Sequence, residues 1–272
     1  SHTAVDEVLM GCVPTAGVGQ APARQAALGA KLDESTPCTT VSKVCGSGMK
    51  AVMQAHDALA LGNGAVIVAG GMESMSNAPY LLPKARGGMR LGHAEVKDHM
   101  FLDGLENAYD GHLMGHFAEE TAKHYQFNRE MQDAYSIESL KRAREANHDG
   151  SFSHEIVPVE VKSKKGSVEV TGDEQPDKSD PAKIPTLKPA FAAGGSVTAA
   201  NSSSISDGAA AAVLVSEEGL KRLGLSRDRA IEVKASIIRT GTDRLAEDFS
   251  NHITARAARD AYEIAGISPS DV

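Results

Sequence analysis

The sequence predicts a layered α/β fold with an inserted, mainly helical region, and three observations carry that prediction. Apolar strand, helix and strand patterns alternate up to residue 69; the run Ala65-Val-Ile-Val-Ala69 is continuously apolar, as strands buried on both faces are; and strand-helix alternation returns from residue 206 after a long polar interval.

The elements follow in chain order. Val5 to Met10 reads as a buried strand ending at Gly11, and Pro22 to Lys31 as a helix opened by proline. Thr39-Thr-Val-Ser-Lys-Val44 is a β-branched strand running directly into Cys45-Gly46-Ser47-Gly48. Met49 to Leu61 has helical spacing and a Gly62-Asn63-Gly64 stop. Composition shifts near Asn77 to a Gly-rich, charged stretch, after which Met114 to Asn147 reads as two amphipathic helices. Ile156 to Val161 and Ser167 to Val170 alternate as half-buried strands around Lys164-Lys165-Gly166, and Thr171 to Ala182 reads as a loop. Ser206 to Val215 leads into a strand, Glu217 to Leu223 is a short helix ended by Gly224, Ala230 to Ile238 reads as a strand, and Asn251 to Ala265 as a helix stopped by Gly266.

A chain of 272 residues, 41% of them hydrophobic, can bury a sizeable core. Its net charge of -8 leaves no basic field for a phosphate backbone, so no nucleic-acid partner is expected. No apolar run approaches the roughly 20 residues that span a bilayer. The opening Ser1-His2-Thr3-Ala4-Val5-Asp6 lacks a basic segment followed by an apolar one, so the expectation is no membrane partner and a cytoplasmic location. Cys12, Cys38 and Cys45 are odd in number and form no Cys-x-x-Cys pair, which argues against a disulfide framework and a structural zinc site.

Cys45 carries the chemistry because of its position. A thiol between a strand end and a helix start meets backbone N–H groups and the positive end of the helix dipole, which favour thiolate; the same amides could hold an oxyanion. Gly46 and Gly48 permit close approach of backbone and substrate. A free cysteine is nonetheless often an inert core residue, and this position alone leaves the two readings evenly balanced.

The surrounding motifs are more specific. Ser42-Lys-Val-Cys-Gly-Ser-Gly-Met-Lys-Ala51 resembles the active-site signature of the thiolase family, and Ala69-Gly-Gly-Met-Glu-Ser-Met-Ser76 the glycine-rich segment that follows it. Val197 to Ala211, with Thr-Ala-Ala-Asn-Ser-Ser-Ser at its start, resembles the family's coenzyme A loop and the strand it enters. The resemblance implies a partial αβαβα layered fold. Its N-terminal half would occupy 1–78 and 196–228, a loop domain covering the coenzyme A site 79–195, and the start of a C-terminal half 229–272.

It implies that Cys45 attacks an acyl-CoA thioester and carries the acyl group covalently until a second acyl-CoA accepts it. Ser203 and Ala199 match positions that touch the pantetheine arm, Phe191 an aromatic lining the same tunnel, and Lys178 a basic residue near the nucleotide end. In Gly111-His112-Leu113-Met114-Gly115, Leu113 stands where many acetoacetyl-CoA-specific members have histidine before the Met-Gly pair. Leucine offers burial but no hydrogen bond, so a more apolar or longer acyl group is expected beside Leu113 and Met114. His112 and His116 lack the glutamate of His-Glu-x-x-His and read as solvated helix-entry residues, with no metal expected. Ala200 and Ser204 replace glycines usual in the family's loop and stiffen it.

Two family motifs are missing: Gly-His-Pro, whose histidine activates the nucleophile, and Cys-x-Gly-Gly-Gly, whose cysteine moves the substrate α-proton. The expectation is a fragment that lacks a first strand and helix and most of the second half, and that is inactive or crippled alone, since Claisen condensation needs a base and enolate donors. The resemblance further implies acyl-CoA substrates, no prosthetic group, and a homodimer or homotetramer. A non-catalytic thiolase-like subunit that binds acyl-CoA or serves as a scaffold is the alternative, and a ketosynthase-like condensing enzyme a more distant one, lacking its paired histidines.

Overall fold

A computed structural model describes residues 4–164, 166–241 and 248–272. Ser1, His2 and Thr3 of the opening and Lys165 of the hairpin turn lie outside the described residues. The chain divides into two compact units, one formed by Ser1–Tyr109 with Ile205–Val272 and the other by Asp110–Ser204.

In the first unit, β1 (Glu7–Gly11), β2 (Cys38–Val41), β3 (Val66–Ser74) and β8 (Asp207–Val215) form a four-stranded sheet in the order β2-β1-β3-β8. β1 pairs in parallel with β2 and β3, while β8 runs antiparallel to β3 along its full length. Helix α1 (Pro22–Gly29) fills the β1-to-β2 crossover and α2 (Ser47–Ala60) the β2-to-β3 crossover. The period-2 alternation of strand side chains decides which helix meets which face. Val8 and Met10 pack with Ala23 and Ala27 of α1, whereas Leu9, Ile67 and Ala69 pack with Ala51 and Ala55 of α2. Alanine on the helix side keeps both layers close to the sheet, as the alanine-rich, Trp-free composition suggests.

Helix α6 (Glu217–Leu223), capped by Ser216 and ended by Gly224 at φ 67°, anchors the return to the sheet. Its Arg222 donates to both carboxylate oxygens of Asp6, at 3.1 and 2.6 Å, and Asp6 also accepts from Ala65 N at 2.7 Å and Val66 N at 2.8 Å. One carboxylate thus joins the approaches to β1 and β3 to α6. The Arg222 hydrogen bond, helped by the two amides, holds the Asp6 carboxyl at about 2, below its ordinary 3.8. A depressed carboxylate stabilises fully above its unfolded value and loses that contribution as pH falls through its folded value. Asp6→Asn is therefore expected to cost about 1–2 kcal/mol near neutrality, a range reduced for partial solvent screening. Urea melts should show the difference from wild type shrinking between about pH 4 and pH 2.

The two-residue ladder of β4 (Tyr80–Leu81) with β5 (Lys97–Asp98) and a π-helical turn over Phe101–Leu105 complete the first unit before its return strand. Helix α7 (Ile253–Ala265) ends at Gly266 with φ 65°. The second unit contains α3 (Met114–His124), α4 (Arg129–His148), the hairpin β6 (Val159–Ser163) with β7 (Gly166–Val170), and the one-turn α5 (Gln175–Lys178).

Four expectations are corrected. The strand before Cys45 stops at Val41, three residues early, because Ser42 to Gly46 turn back on themselves. Residues 230–238 form no strand: nothing pairs with them among the described residues, and Ile231 is 96% exposed, so β-branched content without a ladder partner is insufficient. β6 and β7 are exposed along their whole length rather than half-buried, with Val159, Val161, Val168 and Val170 in solvent. The loop expected over 171–182 also contains α5 and the start of a 3-10 turn over Pro181–Thr186.

Candidate active site

Cys45 sits between the end of β2 and the start of α2 and is the exposed cysteine of the chain, while Cys12 is buried and Cys38 intermediate. The turn carrying it is closed by its own backbone. Lys43 C=O accepts from Gly46 N at 3.1 Å, and Val44 C=O accepts from Ser47 N at 3.1 Å. The buried Ser47 hydroxyl clamps the same turn, donating to Val44 O at 2.6 Å and accepting from Lys43 N at 2.8 Å. The Gly46 and Ser47 amides are thus committed inside the turn.

Val44 holds φ 47°, a left-handed conformation that a β-branched side chain adopts only under strain. Strain of about 1–3 kcal/mol is stored at such positions and is common beside reacting groups. Val44→Gly relieves it but makes the unfolded chain more flexible, so thermal melts are expected to show little net change or a gain of up to about 1 kcal/mol. A loss above that size would mean the turn is unstrained.

Glycines let the helix start press against the strand ends. A Cβ on Gly11 would stand 2.5 Å from Gly48 N and 2.5 Å from the Ser47 carbonyl carbon, closer than any side chain permits. The helix opening therefore rests on the end of β1, and a cavity of about 540 Å³ opens beside Cys45. Its walls are mostly apolar, with Val13 and Pro14 after β1, Met72 and Met75 around the end of β3, and Met100 and Leu105 at the π-helical turn.

Two polar arrangements that sequence reasoning did not single out fix these walls. Glu73, at the edge of the cavity, accepts from Val13 N at 3.0 and 3.4 Å and from the Cys12 thiol at 3.6 Å. Burial, reinforced by the Glu73 charge, pushes the Cys12 thiol up to about 11, which removes Cys12 as a nucleophile near neutrality. Buried His99 joins the π-helical turn to the loop after β1, with Nδ1 2.6 Å from Asp103 and Nε2 accepting from Ala16 N at 3.2 Å. That pairing assigns the ring proton to Nδ1. Glu73 stood inside a quoted motif without a role, whereas a π-helical turn leaves no periodic trace that could have marked His99.

The other sequence-chosen residues all lie in the second unit. Leu113 is the half-buried residue preceding α3, Met114 opens that helix, and the Phe191 ring lies so close to Gly115 that a Cβ there would overlap it at 2.3 Å. Ala199 and Ser203 are exposed on a tethered loop: Glu119 of α3 accepts from Ser196 N at 2.9 Å and from Val197 N at 2.8 Å. Asn201 closes the loop internally, accepting from Thr198 N at 2.6 Å and donating to Ser196 O at 3.1 Å. The structure thus groups Leu113, Met114 and Phe191 around one helix start, and Ala199 and Ser203 on one loop. Lys178 ends α5 and is paired with Glu174 at 2.6 Å. His112 and His116 stack at 4.2 Å, each beside an acid, Asp110 at 3.2 Å and Glu120 at 3.4 Å. Among the described residues no helix is long and apolar enough to cross a membrane.

Residues 1–218 match the family model described as "Thiolase, N-terminal domain". Acetyl-CoA acetyltransferase 1 of Arabidopsis thaliana is 54% identical over 224 residues, which are 81% of this chain and 54% of that protein. Acetyl-CoA acetyltransferase 2 of the same plant is 48% identical over 271 residues, 98% of this chain and 66% of that protein. Among solved structures, the Acat5 thiolase of Ascaris suum in complex with coenzyme A superposes with a TM-score of 0.76 at 41% identity, covering 83% of this chain and 58% of that one. The chain thus spans between about half and two thirds of the length of these relatives.

Proposed function

Since the chain belongs to the thiolase family, we propose that it transfers acyl groups between coenzyme A thioesters through a covalent acyl-cysteine at Cys45. The observation that carries the reading is an exposed thiol on a strained strand-to-helix turn, opening into an apolar cavity of about 540 Å³. The Cys45 thiolate attacks the thioester carbonyl, the carbon–sulfur bond to coenzyme A breaks, and the departing thiolate takes up a proton. The acyl group then waits on Cys45 for a second acceptor, either coenzyme A in the degradative direction or the carbanion of an acyl-CoA in the condensing one.

We assign pantetheine contacts in the second unit to Ala199, Ser203 and Phe191, acyl-group contacts to Leu113 and Met114, and a contact with the phosphates to Lys178. Support comes from the tethering of the 196–201 loop by Glu119 and Asn201, which preorganises it for a flexible ligand. The apolar Leu113 favours acyl groups larger than acetyl within this reading. A homodimer or homotetramer in the cytoplasm also belongs to it; family membership supports the assembly, and light scattering tests it.

Intact mass after incubation with acetyl-CoA tests the function. The expected result is a single acetyl adduct mapping to the Cys45 peptide and discharged by added coenzyme A. A folded chain that binds coenzyme A but never acquires the adduct would instead support the non-catalytic subunit.

A further inference from the structure

We propose that Glu119 is the positioning residue of the coenzyme A loop, and that Gly195 lacks a side chain so that the Glu119 carboxylate can take its place. The inference rests on the assignment of pantetheine contacts to Ala199 and Ser203, and it concerns what fixes that loop before a ligand arrives. Glu119 lies on α3, and a segment 77 residues further along the chain takes up both of its oxygens. Oε1 accepts from Val197 N at 2.8 Å and from Ser196 N at 3.0 Å, and Oε2 accepts from Ser196 N at 2.9 Å and from the Ser196 hydroxyl at 3.3 Å. A Cβ on Gly195 would stand 2.2 Å from Oε1 and 2.6 Å from the carboxyl carbon. Gly195 is not among the residues with positive φ, so the close approach of the carboxylate is the reason for a glycine there.

Helix α3 holds this segment at both ends. Gly115 and Glu119, one turn apart, share a helix face; Gly115 meets the Phe191 ring and Glu119 the amides of Ser196 and Val197. Between those ends the chain closes on itself, with Ala190 N donating to Val197 O at 2.9 Å and Gly195 N to Ala192 O at 3.0 Å. From α4, Gln132 donates to the Ser196 hydroxyl at 2.8 Å. Val197 and Thr198 are buried as a result, while Ala199 and Ser203 stay exposed. Hydrogen bonds from amides to a carboxylate are charge-assisted, so the cost of ordering the loop is met on folding rather than on binding. Without the carboxylate, Ser196 N and Val197 N lose their acceptor, and the loop samples shapes of which only some fit a pantetheine arm.

Calorimetric titration of coenzyme A into Glu119→Ala, Gly195→Ala and the double variant tests this. Each single substitution is expected to raise the Kd about tenfold, the first by removing the carboxylate and the second by displacing it. The double variant is expected to bind no more weakly than Glu119→Ala alone, because the new methyl at position 195 then has nothing to displace. Glu119→Gln keeps the side-chain shape and one acceptor, and should fall between wild type and Glu119→Ala; with Gly195→Ala it decides the matter should Glu119→Ala not fold. Hydrogen exchange in the ligand-free variants should quicken at the Ser196 and Val197 amides and stay as in wild type along α4. Losses that multiply in the double variant, or exchange that rises equally along α4, would show a general structural role and overturn the inference. Wild-type affinity in Gly195→Ala and Glu119→Gln overturns it while leaving the proposed function standing. A wild-type protein that does not bind coenzyme A overturns the assignment of this loop, and the inference with it.

Discussion

Gly11→Ala is expected to destabilise the first unit by about 3 kcal/mol or more and to displace the turn that carries Cys45. The added methyl would sit 2.5 Å from Gly48 N and the Ser47 carbonyl carbon and 2.8 Å from Ser47 Cβ, and two of those three are backbone atoms that no rotamer change can move aside. Relief requires α2 to lift off the end of β1. That movement would pull Ser47 away from Val44 and Lys43, and would separate Ala51 and Ala55 from Leu9 and Ile67. Gly48→Ala supplies the control, because its methyl would meet Gly71 at 3.4 Å, an ordinary contact, and alanine also favours the helix. Denaturant melts should therefore separate the two substitutions by more than about 2 kcal/mol, with Gly48→Ala near wild type. Equal effects would mean that helix and strand are less closely apposed than the structure has them.

The contrast between those glycines shows what the sequence could and could not reveal. β1, α1, α2, β8 and α6 were legible because each combines a clear apolar period with a stop residue, such as Gly62 after α2 or Gly224 after α6. The cysteine turn was legible as a place but not as a conformation. Val44 follows Thr39, Thr40 and Val41 in a segment rich in β-branched residues, and only the Ser47 hydroxyl and the left-handed Val44 reveal that the chain has already left the sheet. Residues 230–238 failed for the opposite reason: Ile231, Val233 and Ile238 have strand composition, but a strand is defined by a partner that composition does not specify. Within the site, Cys45 was found by motif, whereas Glu73 and His99 act through long-range hydrogen bonds to Val13 and Ala16, contacts that join segments about 60 and 83 residues apart.

Cys45→Ser is expected to reduce acyl-adduct formation by about 10⁴-fold or more while leaving stability within about 0.5 kcal/mol of wild type. The stability half follows from exposure, since Cys45 is not part of either packed face of the sheet. The reactivity half follows from the lining. A serine hydroxyl ionises far less readily than a thiol and needs an adjacent base to become a nucleophile. Among the described residues that line the cavity there is no histidine to serve as one, and the Glu73 oxygens already accept from Val13 N and Cys12. Cys12→Ser gives the opposite expectation. It alters a buried thiol that burial holds up at about 11, so it should perturb the Val13–Glu73 corner yet leave the Cys45 adduct in place. Mapping the acyl group in both variants decides which thiol is the nucleophile. An adduct that survives in Cys45→Ser but disappears in Cys12→Ser would transfer the role to the buried cysteine and overturn the assignment drawn from the strand-to-helix turn.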